Sequence, residues 1–256
     1  MNNYFDTKSI ADRYQKGRPY VHFDTILSIK NYLGLTEKLS KVLDVACGTG
    51  LSTKALLEIA EQIEATDISA EMLANAYKHE HINYTQAKAE EQLFAPDTFD
   101  MITVSSGVHW FDIDRFLAEA NRVLKQDRWL VIYDSFFSGK MAGVNVFNDW
   151  YPLIYGTKFP PPARNNSYDW SNKNLSNTNF AFLGEQQLGN DVTFSLDQLV
   201  LYLTTQSNIT AQVEQGVITY NEAETWLYQQ LRPFFVAGER KLHFGGWTKF
   251  LKKKAH

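Results

Sequence analysis

Short apolar runs alternate with helical patterns between residues 41 and 133 of this 256-residue chain. The runs that read as strands are 41–46, 63–66, 83–86, 101–104 and 129–133. Apolar residues at helical spacing lie between them. Strands that alternate with helices at this pitch favour a mostly parallel sheet with helices on both faces. We therefore predict an α/β fold.

The sequence changes in character after residue 134. Residues 138–190 are rich in Asn, Pro, Gly and aromatic residues. They read as a long loop of the kind that forms a lid or binding insertion, or that is disordered. Two capping boxes, Ser195 with Gln198 and Thr219 with Glu222, then predict helices. We predict that residues 241–251 form a late strand that returns to the sheet.

Composition and charge exclude several classes of protein and partner. The chain is 44% apolar and 21% charged, which is typical of a globular protein. From its net charge of −4 we expect no basic face, and therefore no nucleic-acid partner. No run approaches the roughly 18–20 apolar residues of a membrane span, and residues 1–11 do not read as a secretory signal. A single cysteine, Cys47, fits a reducing, cytoplasmic setting.

The most informative segment is VLDVACGTG at residues 42–50, where a strand ends in a glycine turn and a helix follows. Gly48 and Gly50 let the main chain bend with positive φ and let a ligand lie against it. The free N–H groups at the start of the helix add a positive dipole end. Asp67 closes the second predicted strand, where its carboxylate can accept both hydroxyls of a ribose. The glycine turn and Asp67 therefore predict a nucleoside site at this edge of the sheet.

The spacing of the glycines separates two kinds of nucleoside cofactor. A dinucleotide-binding turn has the pattern G-x-G-x-x-G, and Thr53 stands here at the third glycine position. Asp44, four residues before Gly48, is unexpected in an apolar dinucleotide-binding strand. It suits a ligand with an ammonium group, reached directly or through water. An NAD(P)-dependent oxidoreductase is therefore the less favoured alternative.

Several motifs together resemble class I S-adenosylmethionine (SAM)-dependent methyltransferases. The glycine turn matches the first motif of that family, and ATDIS at 65–69 matches its acid after the second strand. YQKGRPY at 14–20 and VHWFD at 108–112 resemble motifs of the trans-aconitate methyltransferase-like branch of the type 11 methyltransferase domain. The resemblance extends from about residue 10 to residue 135.

The resemblance implies a Rossmann-like class I methyltransferase sheet of seven strands, mostly parallel, with helices on both faces and a helical or loop insertion after the fifth strand. It implies a single methyltransferase domain over residues 1–256. The expected parts are an N-terminal cap over the cofactor site (1–40), a SAM-binding core (41–135), a substrate-side insertion (136–240) and the last strand (241–251).

The resemblance also assigns residues to the cofactor. Gly48 and Gly50 are expected along the methionine part of SAM, and Asp44 on its ammonium side. Asp67 is expected to bind the ribose diol. The other expected contacts are Tyr14, Arg18, Ala46, Ile68, Ala89, Glu90 and Ser105.

The resemblance also implies roles for most of these other residues. Ile68 would flank the adenine, and Ala89 and Glu90 would contact its edge. Tyr14 and Arg18 would fold over the site, where Arg18 can pair with the SAM carboxylate as a bidentate donor.

The acceptor is expected beyond the fourth strand, because the transferred methyl group should point towards Ser105 and Ser106. Ser106, His109 and Trp110 are the predicted acceptor-site residues. His109 is the catalytic candidate, which would orient the acceptor or take its proton. The histidines show no metal-ligand spacing, so no metal site is expected.

The predicted activity is transfer of the sulfonium methyl group to a small-molecule acceptor, which leaves S-adenosylhomocysteine (SAH). A carboxylate oxygen is a candidate acceptor atom and needs no base, because it is already ionised at neutral pH. Arg18, Arg164 and His109 are its candidate anion partners. A non-catalytic SAM-binding module stays open as an alternative beside the oxidoreductase. The sequence fixes neither the acceptor nor the oligomeric state.

Overall fold

The computed structural model describes residues 7–164 and 168–255, which form two compact units. The unit that we call the sheet unit comprises the described residues of Tyr20–Ser135, Arg164–Leu188 and Gly246–His256. The unit that we call the helical unit comprises the described residues of Met1–Pro19, Phe136–Ala163 and Gly189–Gly245. Residues 1–6, which belong to the predicted N-terminal cap and to the segment predicted not to be a secretory signal, lie outside the described residues. Residues 165–167 of the predicted loop do so as well.

Seven strands form one sheet. They are β1 (Leu39–Val45), β2 (Ala60–Asp67), β3 (Ile82–Gln86), β4 (Phe99–Ser105), β5 (Leu124–Met141), β6 (Phe180–Phe194) and β7 (Arg240–Lys253). Their order is β3-β2-β1-β4-β5-β7-β6. The pairs from β3 through to β5 are parallel. The prediction of a mostly parallel, seven-stranded sheet is confirmed.

The last strand, β7, runs against both of its neighbours. The Lys254 N–H donates to the Asn179 carbonyl at 2.7 Å, which joins the end of β7 to the start of β6. The Ala142 N–H donates to the Lys241 carbonyl at 2.9 Å, which joins the end of β5 to the start of β7. The predicted late strand is therefore present and antiparallel.

Helices cover both faces of the sheet within the sheet unit. They are α2 (His22–Tyr32), α3 (Leu51–Leu56), α4 (Ala70–Ala74) and α5 (Ile113–Val123). Neighbouring residues of β1 face opposite cores: Val42 packs with apolar residues of α2 and α3, and Leu43 packs with those of α5. Strands covered on both faces need continuous apolar runs, and this is why the sequence pattern was readable here.

The helical unit has its own, largely aromatic core, with Phe147, Phe159 and Tyr202 fully or almost fully buried. Its helices are α1 (Lys8–Gly17), α6 (Asn145–Trp150), α7 (Gly156–Lys158), α8 (Leu196–Thr204), α9 (Ser207–Glu214) and α10 (Tyr220–Leu231). Both predicted capping boxes form, at the starts of α8 and α10. Every helix among the described residues is too short or too polar to cross a bilayer.

The prediction of one long loop over residues 138–190 is wrong for much of that stretch. β5 continues to Met141, a π-helical turn at Tyr151–Tyr155 links α6 to α7, and β6 begins at Phe180. β6 lies at the edge of the sheet, and its residues alternate between half-buried and exposed. An edge strand of this kind needs no apolar run, so its sequence resembles a loop.

Candidate functional site

The glycine turn connects β1 to α3 at the carboxyl edge of the sheet. Gly48 and Gly50 have φ values of 55° and 76°, and Ala46 also has a positive φ of 57°. A Cβ at Gly50 would collide with the Tyr84 hydroxyl, whereas one at Gly48 would meet no atom within 4 Å. Gly50 is therefore required by packing as well as by conformation, and Gly48 borders open space that a ligand can enter.

Asp67 ends β2 and joins that strand to the glycine turn. Its Oδ2 accepts a hydrogen bond from the Gly48 N–H at 2.8 Å, and its Oδ1 accepts one from the Ser69 N–H at 2.9 Å. The residue is half-buried, and a carboxylate can accept about four hydrogen bonds in all. Asp67 is thus fixed beside the open space at Gly48, where a ligand hydroxyl could reach its carboxylate.

Asp44 supports the turn from within the protein. It is fully buried, and its Oδ2 accepts hydrogen bonds from Ser52 and Thr53 at 2.7 Å each. Its Oδ1 accepts one from Thr103 at 2.9 Å, so the residue ties β1 to both α3 and β4. Burial raises the pKa of Asp44 to about 6, although the three hydroxyls act in the opposite direction. A contact with the ammonium group of a cofactor stays a prediction.

The residues predicted around the adenine differ in exposure. Ile68, directly after Asp67, is 48% exposed, which gives this edge an apolar surface. Ala89 is buried. The Glu90 carboxylate accepts a hydrogen bond from the N–H of Asp112, the residue that caps α5, at 2.8 Å, and its contact with the adenine stays a prediction. The contact of Glu90 with Asp112 was not anticipated from the sequence.

Tyr14 and Arg18 lie in the helical unit. Arg18 Nη2 donates to the Thr205 carbonyl at 2.9 Å, and its guanidinium lies 4.5 Å from the Tyr14 ring centroid and 5.3 Å from that of Tyr202. These contacts hold the guanidinium among aromatic rings of its own unit. Its pairing with a cofactor carboxylate stays a prediction.

The turn after β4 passes directly beside the turn after β1. A Cβ at Gly107 would lie 2.9 Å from the Cβ of Ala46, so only glycine allows this approach without displacement. Ser106 has a positive φ of 52°, and it is held by two bonds: its N–H donates to the Tyr133 carbonyl at 2.9 Å and its hydroxyl to Asp134 at 2.7 Å. Strained residues held in this way gather at functional sites. The order of the sheet also reverses between β1 and β4, where open α/β sheets bind ligands.

His109 follows in a 3₁₀ turn, Val108–Trp110, and is almost completely buried. Its ring centroid lies 4.8 Å from that of Trp110, and the exposed Arg164 guanidinium lies 5.7 Å from the Trp110 ring centroid. Burial lowers the pKa of His109 to about 4; the charge of Arg164 adds to this effect, and that of Asp134 opposes it. His109 is therefore neutral at pH 7 and faces charges of both signs.

Sequence reasoning missed three residues at this edge. Tyr133 and Asp134 lie where β5 passes Ser105 and Ser106, and the Tyr133 hydroxyl is 3.2 Å from His22 Nδ1. Burial raises the pKa of Tyr133, so its hydroxyl stays protonated. The position of 133 and 134 at the end of a predicted strand was a usable signal, whereas no pattern marked His22. Among the described residues, no group of three or more His, Cys, Asp or Glu could hold a metal ion.

The sequence family that matches this chain does so within the sheet unit. Residues 43–132 match the sequence family described as "Methyltransferase domain". A demethylmenaquinone methyltransferase of Thermobifida fusca is 33% identical over 139 residues, which are 48% of this chain and 57% of that protein. The chain spans about half the length of the curated relatives it matches.

Solved structures share the fold over more of the chain. A protein of Anaeromyxobacter dehalogenans named "Putative Type II Methyltransferase" has a TM-score of 0.65 at 22% identity, and covers 90% of this chain and 97% of its own. Phosphoethanolamine N-methyltransferase 2 of Haemonchus contortus, solved with phosphomonomethylethanolamine and SAH, has a TM-score of 0.53 at 16% identity over 100% of this chain and 61% of its own. Residues 43–132 therefore match the methyltransferase-domain family in sequence, and the chain shares its fold with these solved structures.

Proposed function

We propose that this protein transfers the methyl group of SAM to a small-molecule acceptor that carries an anionic group. The observation that carries the proposal is the pairing of Gly48 with Asp67. A main-chain N–H fixes a half-exposed carboxylate beside open space, at the point where two strained turns meet. A carboxylate so placed suits the hydroxyls of a ribose.

The residues present fit SAM on observations independent of the family match. A Cβ at Gly48 would meet nothing within 4 Å, and Ile68 exposes an apolar surface next to Asp67. The buried Thr49 hydroxyl at the same turn has no hydrogen-bond partner among the described residues. Gly48, Asp67 and Ile68 would therefore hold the cofactor, which supplies an electrophilic methyl group when bound.

The contribution of the protein to the reaction is orientation and exclusion of water. Aligning an acceptor with the bond to be broken can contribute up to about 7–11 kcal/mol. Ser106, His109 and Trp110 are the proposed acceptor-site residues, with Arg164 as the cation for an anionic acceptor. A neutral His109 of low pKa is a weak base. An acceptor atom that is already ionised, such as a carboxylate oxygen, therefore suits this site.

A transfer experiment tests the proposal. The protein is incubated with SAM labelled in its methyl group and a panel of small carboxylic acids. We expect label in a product that releases methanol under mild alkali, as a methyl ester does. Asp67→Ala should lose this activity, whereas Asp127→Ala, at an exposed carboxylate, should keep it. SAM binding without transfer to any acceptor would favour a non-catalytic binding module. Stabilisation by NAD(H) but not by SAM would favour an oxidoreductase.

The finer assignments belong to the same proposal. The motifs at 14–20 and 108–112 support the trans-aconitate methyltransferase-like branch, and the single, buried Cys47 fits a cytoplasmic setting. We further propose that residues 1–40 cap the cofactor and that residues 136–240 build the acceptor side of a single domain.

A further inference from the structure

Asp134 places a negative charge in the proposed acceptor site. It is half-buried just beyond the point where β5 pairs with the end of β4, and its Oδ1 accepts the Ser106 hydroxyl at 2.7 Å. Its charge also acts on His109. Neither the sequence motifs nor the proposed methyl transfer requires a carboxylate here.

The surroundings of Asp134 define what its carboxylate can bind. Among residues 7–164 and 168–255, the Ser106 hydroxyl is the one hydrogen-bond donor to Asp134. An ionised carboxylate only accepts hydrogen bonds. A ligand group that satisfies its second oxygen must therefore donate, as a hydroxyl or an ammonium group does.

The charge of opposite sign in this site comes from Arg164. Its guanidinium lies over the Trp110 ring and, like Asp134, acts on His109. A molecule with only carboxylates would pair with Arg164 and be repelled by Asp134. A molecule that adds a donor group next to its carboxylate is matched by both charges.

We propose that Asp134 is a specificity-determining residue that selects small acids bearing a hydroxyl or ammonium group next to the carboxylate, with Ser106 positioning its side chain. The inference rests on the proposed function, since it names the acceptor class of the same site. It adds a second requirement, a hydrogen-bond donor, to the anionic group already proposed.

Matched pairs of probes test the inference on the full chain with SAH bound. The pairs are malate with succinate, citrate with tricarballylate, and aspartate with succinate, each differing in one donor group. Binding is followed by calorimetry and by the NMR signals of the labelled His109 ring. In the wild type, we expect the donor-bearing member of at least one pair to bind about tenfold more tightly or better.

The Asp134→Asn variant tests ligand preference without removing the contact with Ser106, because an asparagine oxygen can still accept a hydrogen bond from the Ser106 hydroxyl. We expect this variant to lose most of the preference within the pair while its affinity for SAH stays unchanged. Asp127→Asn, at an exposed carboxylate outside the site, should keep the preference. Asp134→Ala serves as a second variant if the asparagine variant unfolds at a lower temperature.

The outcomes that overturn the inference are distinct from failure of the proposed function. Equal binding of both members in every pair, including no detectable binding of any, would overturn it. So would a preference that Asp134→Asn and Asp134→Ala both leave intact. Failure of the wild type to bind SAH would contradict the proposed function instead, and it is measured before any probe is added.

Discussion

At the scale of single residues, two carboxylates close to the glycine turn differ in burial and in their hydrogen-bond partners. Asp44 is fully buried, and its carboxylate accepts hydrogen bonds from three side-chain hydroxyl groups. Asp67 is half-buried, and its carboxylate accepts hydrogen bonds from the main-chain N–H groups of Gly48 and Ser69. Of the two, only Asp67 is partly exposed. Asp44 therefore supports the turn from within, and the contact of Asp67 with the ribose is the prediction tested next.

Substitution of Asp67 tests the ribose assignment. Asp67→Ala should weaken SAM binding by about 1–3 kcal/mol, because buried ligand hydroxyls lose their acceptor. Isothermal titration calorimetry gives the dissociation constant, and circular dichroism checks the fold. Asp67→Asn, which keeps one accepting oxygen, should lose less. An unchanged dissociation constant in the folded Asp67→Ala protein would contradict the assignment.

The raised pKa of Asp44 makes a prediction about stability and pH. Its pKa of about 6 in the folded protein exceeds the reference value of 3.8, so the folded state binds this proton more tightly than the unfolded state. The contribution of Asp44 to the free energy of unfolding should therefore rise as pH falls from about 7 to 4, by an amount on the order of 3 kcal/mol. Urea unfolding of wild type and Asp44→Asn across this range measures it. A difference between the two proteins that does not change with pH would refute the prediction.

His109 makes the opposite prediction, because its pKa is lowered from 6.5 to about 4. The unfolded state binds this proton more tightly, so the contribution of His109 to stability should fall as pH drops from about 6.5 through 4. NMR titration of the labelled imidazole should show a neutral ring down to about pH 4. In Arg164→Gln the pKa should rise, since one of the charges that lowers it is removed. A wild-type pKa near the reference value would contradict this account.

Site residues whose spacing is visible in one stretch of sequence were predictable, whereas a contact that depends on the register between two strands was not. Gly48, Gly50 and Asp67 belong to a turn and a strand end whose spacing is visible in the chain. Asp134 meets Ser106 only because β5 pairs with β4 so that Ser105 lies opposite Tyr133. That register depends on packing across the whole sheet.

At the scale of elements, the turns after β1 and β4 form one structure. Gly107 permits the approach to Ala46, and Ser106 is tied to β5. The two turns are therefore in direct contact, although the strands that they follow are distant in sequence. Local signals predicted the helices α8 and α10 through their capping boxes. The edge strand β6 was missed because half of its residues face solvent.

Gly107→Ala tests the coupling of the two turns. The added Cβ would lie 2.9 Å from that of Ala46 and force the turns apart. We expect a loss of about 1–3 kcal/mol in the free energy of unfolding and weaker SAH binding. Gly156→Ala is the matched control, since a Cβ there has its nearest contact at an ordinary 3.5 Å. Equal behaviour of the two variants in urea unfolding and calorimetry would show that the close approach is unimportant.

At the scale of the whole chain, the predicted site residues are divided between the two compact units. The sheet unit contains the glycine turn, Asp67, His109 and Asp134, whereas Tyr14 and Arg18 belong to the helical unit. The family match covers residues 43–132, which lie within the sheet unit. Because the net charge of the chain is −4, a local cation such as Arg164 would help the proposed site to attract an anionic acceptor.

Titration of the wild-type protein with SAH in a calorimeter tests the central claim most directly, because it needs no knowledge of the acceptor. The account predicts saturable binding of one SAH per chain and a rise in the unfolding temperature that grows with SAH concentration. Folded protein that shows neither heat of binding nor a shift in unfolding temperature would contradict it.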